Sequence, residues 1–435
     1  MLIQMASVSY PILPRLIYAV LWLMAFPAVI MLLLFRSLGQ PAYRRHLGER
    51  FARYPMAASK QPLWCHAASM GEVHALKPLL LALRADFPEL PLLVTCQTPA
   101  GRQAAQALGL RACTVAYLPF DLRWLVRRFL GHFRPCAALI VETEIWPNLF
   151  QATHSAGMPL LMVNARMTER SLRRYRRFGG VFRRALSVPE AILCQSAEDA
   201  ARFVAAGALA DVVSVTGNLK WDLVPDETAR NTGIRRHASW THAPVWMAAS
   251  THPEETTAVL TTHRAVLARW PAALLLWAPR HPERFAVAAT AAQAQGFRVH
   301  RRSREAEPSS SAQIFLIDTL GELRAFMPGM DLVFVGGSLQ AIGGHNVLEP
   351  AASGVPVVVG PHTAHFADSI RTLKDAGGLL EVVDAKALQS AVLDLLGDDS
   401  CRNAMAAANL ACVAGNRGAV QKTKARVSPC LGTSG

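Results

Sequence analysis

The feature that most constrains this chain is a repeated pattern of short apolar runs. Seven fall at 63–65, 92–96, 115–118, 137–141, 160–163, 191–194 and 212–215, and six more at 245–248, 274–278, 297–300, 314–317, 332–335 and 355–359. Each ends in Gly, Pro, His, Asn or an acid, and a stretch that suits a helix follows. Runs without polar alternation belong to strands buried on both faces, and their alternation with helices implies parallel sheets flanked by helices. The chain has 435 residues, too many for one compact core. The expected fold is α/β, with two doubly wound Rossmann-like domains at 41–222 and 241–415. A polar linker is expected at 223–240, and a helix end and tail at 416–435.

Residues 16–35 form a run of twenty without a charge, long enough for a membrane helix. Arg36, Arg44, Arg45, Arg50 and Arg53 follow it, against Arg15 before it. That excess makes 1–40 an N-terminal membrane anchor with the rest of the chain in the cytoplasm. A helix lying in the interface is the alternative to a spanning one. The net charge of +14 suits anionic lipid or phosphorylated substrates. Nucleic acid is excluded as a partner, since the chain has neither zinc-finger spacing nor RNP-type aromatics. Eight cysteines without CxxC spacing read as reduced core thiols. Nothing in the sequence bears on self-association.

The polar motifs cluster at the carboxyl ends of the expected strands, where open parallel sheets bind ligands. In the first half, Glu72 follows Gly71 directly after an apolar run, which suits a general base that takes a proton from a sugar hydroxyl. Glu142 ends the very apolar run 137–141, so burial raises its pKa unless it is paired. Lys220 is either that partner or a group that stabilises charge developing on a donor. A buried ion pair without a catalytic role is the other reading of Glu142 and Glu144. Arg166, Arg170, Arg173, Arg174, Arg176, Arg177, Arg183 and Arg184 form a cationic stretch suited to anionic lipid. Tyr175, Phe178 and Phe182 are expected to pack against the membrane.

In the second half, Arg280 offers a fixed fork for a phosphate. Gly321, Glu322 and Leu323 offer backbone groups to a base. A helix starting near Asn346 points its free N–H groups at a ligand, with Asn346 and Glu349 on one face. The bland alternative has Asn346 capping a structural helix and Arg280 as a surface charge. The chain contains no DxD motif, and a metal site is not expected.

Taken in order, HAASMGEV, ETEIWPNL, NARMTERS, GNLKWD, STHPEE, APRHPER and GGHNVLEP with GPHT resemble the 3-deoxy-D-manno-octulosonic acid (Kdo) transferases of lipopolysaccharide synthesis. The match runs from about residue 10 to 420. The resemblance implies a GT-B glycosyltransferase fold and inverting, metal-independent transfer without a cofactor. It implies CMP-Kdo as donor and a lipid A precursor, lipid IVA, as acceptor at the inner membrane. The family's general base falls on Glu72, and its transition-state stabilising residues on Glu142 and Lys220. Its CMP contacts fall on Pro279, Arg280 and His281, on Gly321, Glu322 and Leu323, and on Asn346, Val347, Leu348 and Glu349. A GT-B enzyme with a UDP-sugar donor, a sugar-nucleotide epimerase and a non-catalytic scaffold are the alternatives.

Overall fold

The computed structural model describes residues 12–57, 61–177, 179–222 and 227–431. The chain forms two units, Met1–Asp222 with Arg417–Gly435, and Leu223–Asn416. The first unit carries β1 (Leu63–His66), β2 (Leu92–Cys96), β3 (Cys113–Tyr117), β4 (Ala137–Val141), β5 (Leu160–Ala165), β6 (Ala191–Cys194) and β7 (Val213–Val215). They form one parallel sheet in the order β3-β2-β1-β4-β5-β6-β7. The central strands are mostly apolar because both faces are covered. Trp64, Leu93, Ala138 and Met162 join one core, and Leu63, Cys65, Val94 and Leu139 the other.

The second unit carries β8 (Val245–Thr251), β9 (Leu274–Pro279), β10 (Val299–Arg301), β11 (Ile314–Leu316), β12 (Leu332–Val335), β13 (Val357–Val359) and β14 (Leu379–Glu381). Its sheet is also parallel, ordered β10-β11-β9-β8-β12-β13-β14. Two doubly wound parallel sheets bear out the expected fold class. In each, the strand order reverses next to the first strand, between β1 and β4 and between β8 and β12. Those are the switch points where such sheets take ligands.

Several expectations need correction. The stretch expected as a linker contains a helix, Glu227–Ala238, that belongs to the second unit; residues 223–226, with Pro225, lie outside those described. The helix Ala419–Val427 returns to the first unit, where Ala419, Val420 and Val427 join the core around Leu219. Asp222 accepts bonds from Gly418 N (2.8 Å) and Val420 N (2.6 Å), which holds the start of that helix. Arg50, counted among the basic residues after the anchor, is a structural residue. It is buried, donates to Gln97 Oε1 (3.1 Å) and the Gln97 carbonyl (2.6 Å), and lies over the Tyr117 ring. Tyr175 is also buried, on one face of the helix Glu169–Arg177 and against Phe182, so it packs the core rather than a membrane; Phe178 lies outside the described residues.

The N-terminal helix, Ile12–Gly39, is continuous through Pro27 and apolar enough to cross a membrane. One stripe of it, Trp22, Phe26, Val29, Ile30 and Leu33, packs on Phe51, Phe120 and Leu125 of the first unit. Phe26, Phe51 and Phe120 meet edge to face, with ring centroids 5.3 to 6.2 Å apart. Upstream, Tyr18 Oη donates to Asp121 Oδ2 (2.8 Å), and Asp121 in turn accepts from Asn148 N and Leu149 N. The other face leaves Leu23, Met24, Met31 and Phe35 exposed.

Candidate active site

Ser69 follows β1 as the N-cap of the helix Met70–Asp86, and Glu72 sits three residues later. The S-x-x-E spacing closes a capping arrangement. Ser69 Oγ accepts from Glu72 N (3.3 Å) and donates to Glu72 Oε1 (2.8 Å), while Ala68 N donates to Glu72 Oε2 (2.7 Å). The expected general base is therefore fixed in place by its own helix start. Burial raises its carboxyl most, and the charges of Glu142 and Glu144 add to this. The bonds from Ser69 and Ala68 oppose the rise, leaving the pKa at about 7.

Glu142 and Glu144 reach Glu72 because β4 pairs with β1 across the switch point, His66 opposite Ile140. Glu142 directly follows β4 with φ +58°, a left-handed conformation that costs a non-glycine residue roughly 1–2 kcal/mol. Its Oε1 lies 3.3 Å from Lys220 Nζ, the partner expected from the sequence. Lys220 is set by a one-turn helix, Leu219–Asp222, whose Leu219 N donates to Oδ1 of the buried Asn164 (2.9 Å). Asn164 also has positive φ, 51°, at an irregularity in the β5–β6 register.

His66 and Glu144 form a second pair that the sequence reading did not connect. His66 is fully buried as the last residue of β1, with Nδ1 2.9 Å from Thr95 Oγ1 and Nε2 3.7 Å from Glu144 Oε2. Trp146 Nε1 donates to the same carboxylate oxygen (2.8 Å). Burial raises the Glu144 carboxyl, but His66 and Trp146 outweigh it and hold the pKa below the ordinary value.

In the second unit, His252 caps the turn after β8, and Glu255 sits three residues later. Glu255 is fully buried and accepts four backbone bonds, from His252 N (2.9 Å), Gly337 N (2.8 Å), Ser338 N (3.1 Å) and Leu339 N (3.1 Å). It thereby folds the glycine loop after β12 over the end of β8. The contact requires glycine at 336, where a Cβ would stand 2.6 Å from Thr251 Cα. Sequence reasoning gave Glu255 no role, although H-P-E-E carries the same spacing as S-M-G-E.

His252 Nε2 and His345 Nε2 are 2.9 Å apart with nearly parallel rings, and His281 stands 5.5 Å from His252, ring to ring. Burial, with Arg280 and the neighbouring imidazoles adding to it, pushes His345 down to about 4; burial lowers His252 as well. The pair is thus neutral at pH 7, and the fixed positive charge beside it belongs to Arg280. That guanidinium has no carboxylate partner among the described residues, and Arg280 N donates to Thr251 O at the end of β8 (3.0 Å).

The remaining donor-side residues are partly engaged. Asn346 Nδ2 donates to Glu349 Oε1 (3.0 Å), and Arg324 pairs with the same oxygen. The helix expected from Asn346 begins later and is short, Leu348–Ala352. Val347 occupies its N-cap and Asn346 Oδ1 accepts from Leu348 N (3.0 Å), so no long helix dipole is aimed there. Gly321 has φ +84°, Glu322 is held by Arg302 (2.7 Å) and Thr319, and Leu323 opens another short helix, Leu323–Phe326. Pro279 closes β9 next to Arg280.

Residues 45–223 match the sequence family described as 3-deoxy-D-manno-octulosonic-acid transferase (kdotransferase). The Haemophilus influenzae 3-deoxy-D-manno-octulosonic acid transferase is 36% identical over 421 residues, 96% of this chain and 99% of that one. The chain belongs to the Kdo transferase family. The Bordetella pertussis 3-deoxy-D-manno-octulosonic acid transferase is 38% identical over 404 residues, 90% of this chain and 92% of its relative. Membership makes the chain a glycosyltransferase and bears out the resemblance read from its motifs. A solved UDP-GlcNAc 2-epimerase from Neisseria meningitidis shares the fold alone: its TM-score is 0.51 at 13% identity, covering 85% of this chain and 100% of that one.

Proposed function

We propose that this chain is an inverting, metal-independent transferase that moves Kdo from CMP-Kdo to a lipid A precursor. The observation that carries the chemistry is Glu72, a fixed carboxyl with a pKa of about 7 at a sheet switch point. A base of that strength is half ionised at neutral pH and strong enough to accept a hydroxyl proton. As the acceptor oxygen bonds to the anomeric carbon, its proton passes to Glu72, and the bond from that carbon to the phosphate oxygen breaks. Lys220, oriented by Glu142, stabilises negative charge developing on the departing group, and Glu142 stabilises positive charge on the sugar.

The second unit holds the nucleotide. Arg280 supplies the phosphate's countercharge, and Pro279 and His281 flank it. Gly321 to Leu323 present backbone groups to the base. Glu349 uses Oε1 for Asn346 and Arg324 among the described residues, which leaves Oε2 for ribose hydroxyls. Asn346, Val347 and Leu348 complete that wall. The named relatives support Kdo as the sugar transferred.

The N-terminal helix anchors the protein to the cytoplasmic face of the inner membrane. It lies in the interface, because a stripe from Trp22 to Leu33 is already packed on the first unit while the opposite face is apolar and exposed. Mass analysis of product from purified protein, CMP-Kdo and lipid IVA tests the function. Wild type is expected to add Kdo without added metal, and Glu72→Gln to lower kcat by about 10²–10⁴-fold. Retained turnover in that variant, or wild-type transfer only from a UDP-sugar, overturns the reading.

A further inference from the structure

A groove of about 560 Å³ runs between the N-terminal helix and the first unit, within the range of about 300–1,000 Å³ typical of small-molecule sites. One wall is Trp22, Ala25 and Val29 of that helix; Ile145 and Val181 contribute to the other. Trp22 and Trp146, both in its lining, are in tilted contact with ring centroids 6.5 Å apart. Its polar groups are Tyr18, Thr143, Glu144 and Arg174. Arg174 lies 5.3 Å from the centre of the Tyr175 ring, and Glu144 is, after Glu142, the second carboxylate whose charge raises Glu72. The groove therefore joins the helix that carries the exposed apolar face, Leu23 at 74% and Met24 at 76%, to the carboxylates of the candidate active site.

We propose that this groove binds one acyl chain of the glycolipid acceptor. The inference rests on the transfer reading above and adds to it the part of the acceptor that is recognised. Three features select a lipid chain over other occupants. The lining is mainly apolar, with a single cation suited to a phosphate on the headgroup. One wall is the membrane helix itself, so a chain enters from lipid without crossing water. The polar residues include Glu144, next to the base, so a chain seated here carries its sugar toward Glu72.

The test compares the lipid A precursor with the same disaccharide stripped of its acyl chains, using full-length wild type and two groove-filling variants, Ala25→Phe and Val181→Phe. Each variant is expected to lower kcat/KM for the acylated acceptor at least about tenfold, through KM, which corresponds to roughly two buried methylenes lost. Transfer to the deacylated acceptor and the KM for CMP-Kdo should stay at wild-type values. Equal loss with both acceptors, or no loss with either, overturns the groove. A glycolipid with a photoreactive acyl chain reads the site without turnover, and crosslinks to the Ala25–Val29 segment in wild type but not in the filled variants are expected. Crosslinks only elsewhere overturn the proposal. Groove crosslinks in a wild type that transfers Kdo to neither acceptor overturn the transfer reading and leave the groove standing.

Discussion

Glu72 and Glu255 occupy equivalent places in the two units. Each lies three residues after the cap that follows the first strand of its sheet, beside the point where strand order reverses. Their surroundings differ. Glu255 receives four backbone N–H groups and sits in the interior as the peg of a glycine loop. Glu72 receives one N–H and one hydroxyl, and two further carboxylates face it. The same local device yields a structural staple where donors converge, and a strong base where anions converge. Position in the fold thus offers a carboxylate to the ligand edge, and the neighbouring loop decides its use.

This contrast is most severely tested by Glu255→Ala, which strands four backbone N–H groups, those of Gly337 and Ser338 fully buried. The expected cost is about 3–5 kcal/mol. Thermal unfolding should show it as a large loss of stability together with loss of CMP binding; a variant as stable as wild type would dissolve the distinction. Glu72→Gln, by comparison, should unfold within a few degrees of wild type.

The electrostatic half of the comparison predicts a pH profile. Glu72 must be ionised to act, so kcat/KM is expected to fall as pH drops through about 7. Glu144→Gln removes a charge that raises Glu72, so its acid limb should move to lower pH; a limb that stays in place or moves up would remove Glu144 from the coupling. The smallest effect belongs to the cap. Ser69→Ala loses the hydroxyl bond that favours ionised Glu72, so the limb should shift to higher pH, with about 1 kcal/mol of stability lost. Chemical denaturation and a pH–rate series on one preparation measure both.

Much of this was legible in the sequence because both sheets are covered on both faces. Most strands are short, largely apolar runs, and those runs do not depend on knowing their neighbours; the edge strands β7 (Val213–Val215) and β10 (Val299–Arg301) carry polar residues and are only partly buried. The fourteenth strand, Leu379–Glu381, escaped because it is short, ends in an acid and follows Gly377 and Gly378. Glu72 stood out as an acid after a glycine. Its coupling to Glu142 and Glu144 did not, since it depends on β1 pairing with β4, some seventy residues on. Tyr175 was misplaced for a related reason, and the burial of Arg50 was hidden in the same way. An aromatic in a basic helix suggests a membrane surface, yet each residue has a protein partner distant in sequence: Gln97 for Arg50, and the Thr143 carbonyl (3.4 Å) for Tyr175. Glu255 was overlooked because a buried acid with only backbone donors leaves no complementary charge to find.

The grip of Asp222 on Gly418 and Val420 makes the second unit an insertion in the chain of the first. Ribosomal synthesis therefore delivers the last piece of the first unit's core, Ala419 to Val427, only after all of the inserted unit has been made. The first unit closes its core only once residues 419–427 have been made, and a stop codon before them damages the unit whose synthesis began first.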